Sequence, residues 1–314
     1  MAVFTQLSYD QVAVFIKRFD VGKLIQIKNV QLGTENSTFF INTEQQQLVL
    51  TLFEQCEYDE LPFFIELLDF LSLHKLPVKG PLYDISSIAL KRLAGRPALL
   101  FHRLAGIHPN KPTSGQCSAI GETLGKLHFI SQKYKVARPN PRDLLWIKAH
   151  HYKVLEYLRP DDKKLMINQV YSLEKHIGYE NNLPKGALHG DLFRDNTLVN
   201  GNIICGLIDF YNGCTGDLLF DFAILINDWC SDENGNIIES RYSNVINNYV
   251  TYRPFTELEK IALPYMLRLT ALRYWISRLL VRYVSPIANP KDPNQYRNIL
   301  HSRCIQGCPP IHKN

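Results

Sequence analysis

A chain of 314 residues with 46% hydrophobic and 21% charged side chains is long enough for two domains with separate cores and has an ordinary globular balance. Thirty-five basic against 30 acidic side chains leave a net charge of +5, too small and too dispersed an excess for a nucleic-acid surface. The seven cysteines form no Cys-x-x-Cys pair, and Cys304 with Cys308 lacks two further ligands, so reduced, mostly buried thiols in a cytoplasmic protein are expected, without zinc. No signal-peptide block is expected at the N-terminus. The most apolar run, 218–226, is too short for a membrane span and contains Asp221.

Ser8 and Gln11 form a capping-box signature, Val12, Phe15, Ile16 and Phe19 follow at helical spacing, and Gly22 stands where a helix would end. Residues 24–31 alternate apolar and polar. Gly33-Thr34-Glu35-Asn36-Ser37 reads as a turn, and 38–41 and 48–53 as strands rich in β-branched and aromatic residues. Pro62 opens a helix through Phe63, Leu67, Leu68 and Leu71. Strands at 88–93 and 98–104 flank Ala94-Gly95-Arg96-Pro97. Together these predict a small antiparallel sheet with a helix across it.

Past Gly106 the texture changes. Pro109, Pro112 and Gly115 mark a connector, and Ile120, Leu124, Leu127 and His128 make a helical stripe. Further helices are predicted near 146–158, 165–176, 218–229, 237–249 and 258–284. Short strands near 197–199 and 203–208 are joined by Asn200-Gly201-Asn202, a hairpin signal. The tail from His301, with Pro309-Pro310, reads as disordered. The expectation is an α+β chain with domains at 1–105 and 106–314, and no signal sets an oligomeric state.

The second domain carries Leu188-His189-Gly190-Asp191-Leu192-Phe193-Arg194-Asp195-Asn196, followed by Gly206-Leu207-Ile208-Asp209-Phe210. Two carboxylates and a carboxamide at this spacing suit phosphoryl transfer. A hydroxyl being phosphorylated needs an acceptor for its proton, which Asp191 would provide. A triphosphate needs Mg²⁺, and Mg²⁺ needs hard oxygen ligands, which Asn196 and Asp209 would provide. His189 is expected to orient the loop and Asp195 to be a solvated turn residue. Asp221, at an apolar helix start, must find partners if buried and is expected to anchor the loop backbone. The 33–37 turn is a candidate phosphate cover, though no Gly-Lys-Ser/Thr follows it.

These features resemble the aminoglycoside phosphotransferase and choline kinase-like superfamily. The 33–37 turn, Leu48-Val49-Leu50-Thr51-Leu52-Phe53-Glu54, Leu61-Pro62-Phe63-Phe64, Leu207-Ile208-Asp209-Phe210-Tyr211, Asn227-Asp228-Trp229-Cys230 and Ala271-Leu272-Arg273 resemble its bacterial homoserine kinase branch. The resemblance implies a two-lobed protein-kinase-like fold, with a small antiparallel-sheet N-lobe and a larger, mainly helical C-lobe. It implies ATP and Mg²⁺ as cofactors, with Gly33, Thr34, Glu35, Asn36 and Ser37 over the nucleotide and adenine against strand 98–104 at Phe101. L-homoserine would place its hydroxyl at Asp191 and leave as O-phosphohomoserine. Thr51 stands where most kinases carry a lysine, and the homoserine kinase branch is similar in lacking it.

A zwitterionic substrate needs a planar cation for its carboxylate, with Arg273 ahead of Arg268. Asp228 would take the amine side, and Tyr211 would line the pocket. The competing readings are a choline-like or aminoglycoside kinase on the same fold and a nucleotide-binding scaffold without activity. Arg268, Arg273 and Arg278 argue against a polycationic substrate, and Asp191, Asn196 and Asp209 together argue against a dead scaffold.

Overall fold

The computed structural model describes residues 5–30, 36–177, 182–285 and 290–311. The chain divides into two compact units, Met1–Ala105 and Gly106–Asn314.

In the first unit Ser8 caps helix α1 (Tyr9–Ile16) with a reciprocal capping box to Gln11. The helix stops before Phe19 and Gly22, because Phe19 and Val21 leave the helical path to enter the core beneath the sheet. Gly22, at φ +78, makes the turn into the first strand. The sheet has strands β1 (Leu24–Val30), β2 (Asn36–Thr43), β3 (Gln47–Phe53), β4 (Lys91–Leu93) and β5 (Arg96–His102), in the order β1-β2-β3-β5-β4 and antiparallel throughout. Val12, Phe15 and Ile16 pack against Phe39, Ile41, Leu48 and Leu50. Helix α2 (Leu61–Leu73) carries Pro62 in its first turn. The strand expected from 88 begins only at Lys91, because the Asp84 carboxylate captures the amides of Ser86 and Ile88 in a loop. Ala94 and Gly95, both at positive φ, close the β4–β5 hairpin.

The second unit opens with helix α3 (Ser114–Ser131), capped by Thr113 and Gln116. It crosses α7 (Glu239–Tyr249) at two glycines. A Cβ on Gly121 would lie 2.3 Å from the Val245 carbonyl, and one on Gly125 2.6 Å from that of Tyr249, so the two backbones meet where no side chain fits. Helix α4 (Leu144–His150) tightens into a 3₁₀ turn over His151–Tyr157, where one longer helix was expected. Helix α5 (Pro160–Ile177) follows. Four short strands then pair as β6 (Lys185–Leu188) with β9 (Cys214–Asp217) and β7 (Thr197–Asn200) with β8 (Ile203–Leu207). The β6–β9 pair has no sequence signal, since four residues including Gly186 or Gly216 are too few to show alternation.

Helix α6 (Leu218–Trp229) is buried along its whole length. Helix α8 (Glu257–Leu279) ends in a π-turn over Leu280–Val284. Of the tail expected to be disordered from His301, residues 301–305 instead complete helix α9 (Asn294–Ile305), which buries Tyr296, Ile299, Leu300 and Arg303. The Arg303 guanidinium is met by Asn227, Gly235 and Ser231, so a core position there carries a charged residue and hides the helical pattern. All seven cysteines are free. Only Cys117, Cys214 and Cys230 are buried, fewer than expected. Among the described residues no helix is long and apolar enough to cross a membrane.

Candidate active site

Strand β6 ends at Leu188, and the next two residues change the chain's direction. Gly190 sits at φ +77, and a Cβ there would lie 2.2 Å from the Asn212 carbonyl. Only glycine meets both conditions. The amides of His189 and Gly190 both donate to one carboxylate, that of Asp221 in the first turn of α6, at 2.6 and 2.7 Å. Asp221 is fully buried, so these two bonds take the place of water.

His189 ties the loop to the end of β8. Its Nδ1 accepts the Asp191 amide at 3.3 Å, which leaves the proton on Nε2 to meet the Ile208 carbonyl at 2.9 Å. The ring lies against Phe210, with centroids 4.2 Å apart. Burial pushes the His189 imidazole below the ordinary histidine range, against the pull of Asp221 and Asp191, so it remains neutral.

The Asp191 carboxylate is held from two sides. Tyr274 of α8 donates to Oδ1 at 2.6 Å, and Asn196 Nδ2 donates to Oδ2 at 3.0 Å and to the Asp191 carbonyl at 2.7 Å. Arg273 Nη1 lies 3.8 Å from Oδ1. Because both Asp191 oxygens are acceptors, the Asn196 amide must present nitrogen to them, and its own oxygen faces away. Asp209 follows β8 in the left-handed region (φ 62, ψ 52), which aspartate tolerates better than most residues, and it is exposed. Its neighbour Ile208 donates to the Asn196 carbonyl at 3.0 Å and accepts from His189. Backbone bonds thus join Asp209 to the loop that carries Asp191 and Asn196. Tyr211, half-buried, lies in the short turn Phe210–Asn212 just beyond.

Other expected site residues are engaged elsewhere. The Asp228 carboxylate accepts from the Arg194 amide, Nε and Nη2 at 2.8, 3.0 and 3.3 Å. Arg268 is turned away from Asp191. It donates to the Pro264 carbonyl and Gln169 and lies over the Tyr265 ring, five positions and about 140° around the helix from Arg273. Asp195, expected as a solvated turn residue, is exposed in the Arg194–Asn196 turn and pairs with Lys291 at 2.6 Å. In the first unit Ser37 is buried in β2 and its hydroxyl donates to Glu54. Asn36 opens β2 opposite Phe53, and Phe101 lies half-buried on β5 opposite Val49. Gly33, Thr34 and Glu35 lie outside the described residues. Thr51 is buried in β3 between Thr38 and Leu99.

Sequence reasoning missed Tyr274 and Arg194. The first reads as one more aromatic on a core helix. The second reads as a loop charge, although it holds Asp228 and also reaches the Asn110 carbonyl at 2.6 Å.

Behind the loop lies a second buried histidine. Arg253 donates to the Tyr249 hydroxyl, so that hydroxyl donates in turn to His128 Nδ1, each at 2.8 Å. His128 Nε2 then faces Asp221 Oδ2 at 3.6 Å. Burial lowers the His128 pKa in spite of that carboxylate. Both histidines are neutral when folded and take up protons when unfolded below about pH 6.5. Stability is therefore full above that pH and falls as acid is added, by at most about 1.4 kcal/mol per pH unit for each histidine. Urea midpoints should drop from pH 7 to 5.5, and less so in His128→Asn. A midpoint that stays level over that range would contradict the neutral state.

A loop aspartate hydrogen-bonded to an asparagine five residues on, with a second aspartate at the end of the following hairpin, defines a phosphotransferase enzyme of the kinase type. Residues 26–255 match the model of the Phosphotransferase enzyme family, APH. The chain is 36% identical to a homoserine kinase of Polaromonas naphthalenivorans over 96% of this chain and 98% of that one. It is 40% identical to a homoserine kinase of Pseudomonas aeruginosa over 89% of each. A solved amicoumacin kinase, in complex with AMP-PNP and Ca²⁺, shares the fold with a TM-score of 0.72 at 14% identity, covering 95% of this chain and 92% of its own. The chain belongs to the APH phosphotransferase family, in the branch of these homoserine kinases.

Proposed function

We propose that this kinase transfers the terminal phosphoryl group of ATP to the side-chain hydroxyl of L-homoserine, giving O-phospho-L-homoserine and ADP for threonine biosynthesis. The observation that carries the reading is the Asp191 carboxylate. It is clamped by one donor on each oxygen, keeps lone pairs for a further donor, and has a cation 3.8 Å away. Asp191 takes the hydroxyl proton as the oxygen attacks phosphorus, and a base so placed contributes about 10²–10⁴-fold. Arg273 would face the homoserine carboxylate, with Tyr211 beside the substrate.

The donor set fits Mg²⁺. Among the described residues no group of three or more His, Cys, Asp or Glu could hold a metal. Mg²⁺ needs only one or two hard oxygens from protein, with phosphates and water for the rest. Asn196 and Asp209 would hold it, and when bound it offsets charge on the transferred group. Residues 33–37 and Phe101 of β5 would meet the nucleotide. The free thiols suit a cytoplasmic enzyme.

The test is ADP release with Mg·ATP and a panel of L-homoserine, L-serine, choline and kanamycin. Homoserine should give the highest kcat/KM. Preference for choline or kanamycin would overturn the substrate, and Mg·ATP binding without turnover of any hydroxyl would overturn the activity.

A further inference from the structure

Asp191 has partners of two kinds. Asn196 is local, five residues along the same loop. Tyr274 comes from α8, 83 residues away, and its hydroxyl donates to Oδ1 at 2.6 Å. The same hydroxyl oxygen lies 3.2 Å from the Gly190 carbonyl, so the phenol sits at the turn that sets the loop's direction. Having one proton, the hydroxyl gives it to the closer, charged acceptor.

The Tyr274 ring is held apart from its hydroxyl. It packs against Phe193 and Tyr296, with centroids 4.5 and 5.1 Å away, and the Arg273 guanidinium lies 3.8 Å above it. A phenylalanine would fill the same space, so packing alone does not call for the oxygen. Burial also pushes the phenol pKa well up, which keeps its proton in place.

A carboxylate held by one oxygen turns about its Cβ–Cγ bond. One held by both keeps its plane. Resting on the reading of Asp191 as the base, we infer that Tyr274 is a positioning residue: by holding Oδ1 it fixes the carboxylate plane and leaves Oδ2, beside Asn196, as the oxygen that takes the substrate proton. Asn196 cannot do this alone, because its amide follows the same loop whose side chain it would restrain. Tyr274 is anchored outside that loop, on a helix whose neighbouring residues Arg273 and Trp275 are also buried.

The test is Tyr274→Phe in the full chain. The ring stays and the donor goes. Losing a hydrogen bond to a charged group should lower kcat roughly ten- to a hundredfold while KM for ATP and for the hydroxyl substrate stays within about twofold. In an Asp191→Asn background the same change should cost nothing more. An unchanged kcat in Tyr274→Phe overturns the inference, as does an equal loss in both backgrounds. If instead Asp191→Asn alone retains a near-normal rate, it is the base assignment that fails, and the two failures are distinct.

Should Tyr274→Phe not fold, protein carrying 3-fluorotyrosine at every tyrosine keeps the ring and strengthens the donor. A kcat equal to that of ordinary protein overturns the inference. So does a change that persists in Asp191→Asn, whereas a change that vanishes there supports it.

Discussion

Asp191→Asn is expected to lower kcat for phosphoryl transfer by about 10²–10⁴-fold with little change in KM for ATP. The substituted amide can keep both existing contacts. Its oxygen accepts from Asn196, and its nitrogen meets Tyr274, whose hydroxyl can rotate to accept. Loop and fold therefore survive, and the loss reports the missing proton acceptor. Asp191→Ala removes the clamp as well and should be no more active. Steady-state ADP release, with the urea midpoint as a control on folding, checks both variants. An Asp191→Asn rate within tenfold of the parent would remove the residue from its role.

Asp221→Ala should be the most damaging single change to stability near the site. It leaves the His189 and Gly190 amides buried without acceptors, at about 1–3 kcal/mol each, and opens a cavity beside His128. A total near 3–5 kcal/mol is the scale for breaking a buried charged network. The loop also loses both of its bonds to the Asp221 carboxylate, so activity should fall with stability. Asp221→Asn keeps the volume but turns one amide donor against another, at about half that cost. With two compact units, unfolding need not be a single transition, so the measurement is amide exchange at 189–191 beside urea titration. Unchanged protection there in Asp221→Ala would show that the loop stands without its anchor.

Local chemistry made much of this molecule legible. The Ser8 and Gln11 capping pair, Pro62 in the first turn of α2, and the hairpin at Gly201 each act within a few residues, and each forms where its side chains require. The pairing of Asn196 with Asp191 is of the same kind, since that hydrogen bond spans five residues. Legibility failed where a residue type admits two environments. Arg268 and Arg273 are both candidate cations on one helix, with Arg273 ahead, and about 140° of rotation puts only Arg273 beside Asp191. Asp228 reads as an amine ligand, and its ion pair with Arg194 gives no signal in the sequence. Ser37 reads as part of a phosphate turn, and its hydroxyl's bond to Glu54 gives no signal in the sequence. The polar pattern of 294–305 conceals a helix because its core face includes Arg303, whose charge is met by groups some 70 residues away.

Spacing along the chain was enough to suggest the fold class and to single out His189, Asp191, Asn196 and Asp209 as candidates, because they lie close together in the sequence. Their support was decided only by folding. Asp221 stands 32 residues from the first amide it holds, and Tyr274 stands 83 from the carboxylate it binds. Those partners meet because β6 pairs with β9 at the entry to α6 and because α8 packs with a particular face inward. Which of several equivalent donors reaches a buried acceptor is a property of that packing, and no local pattern encodes it.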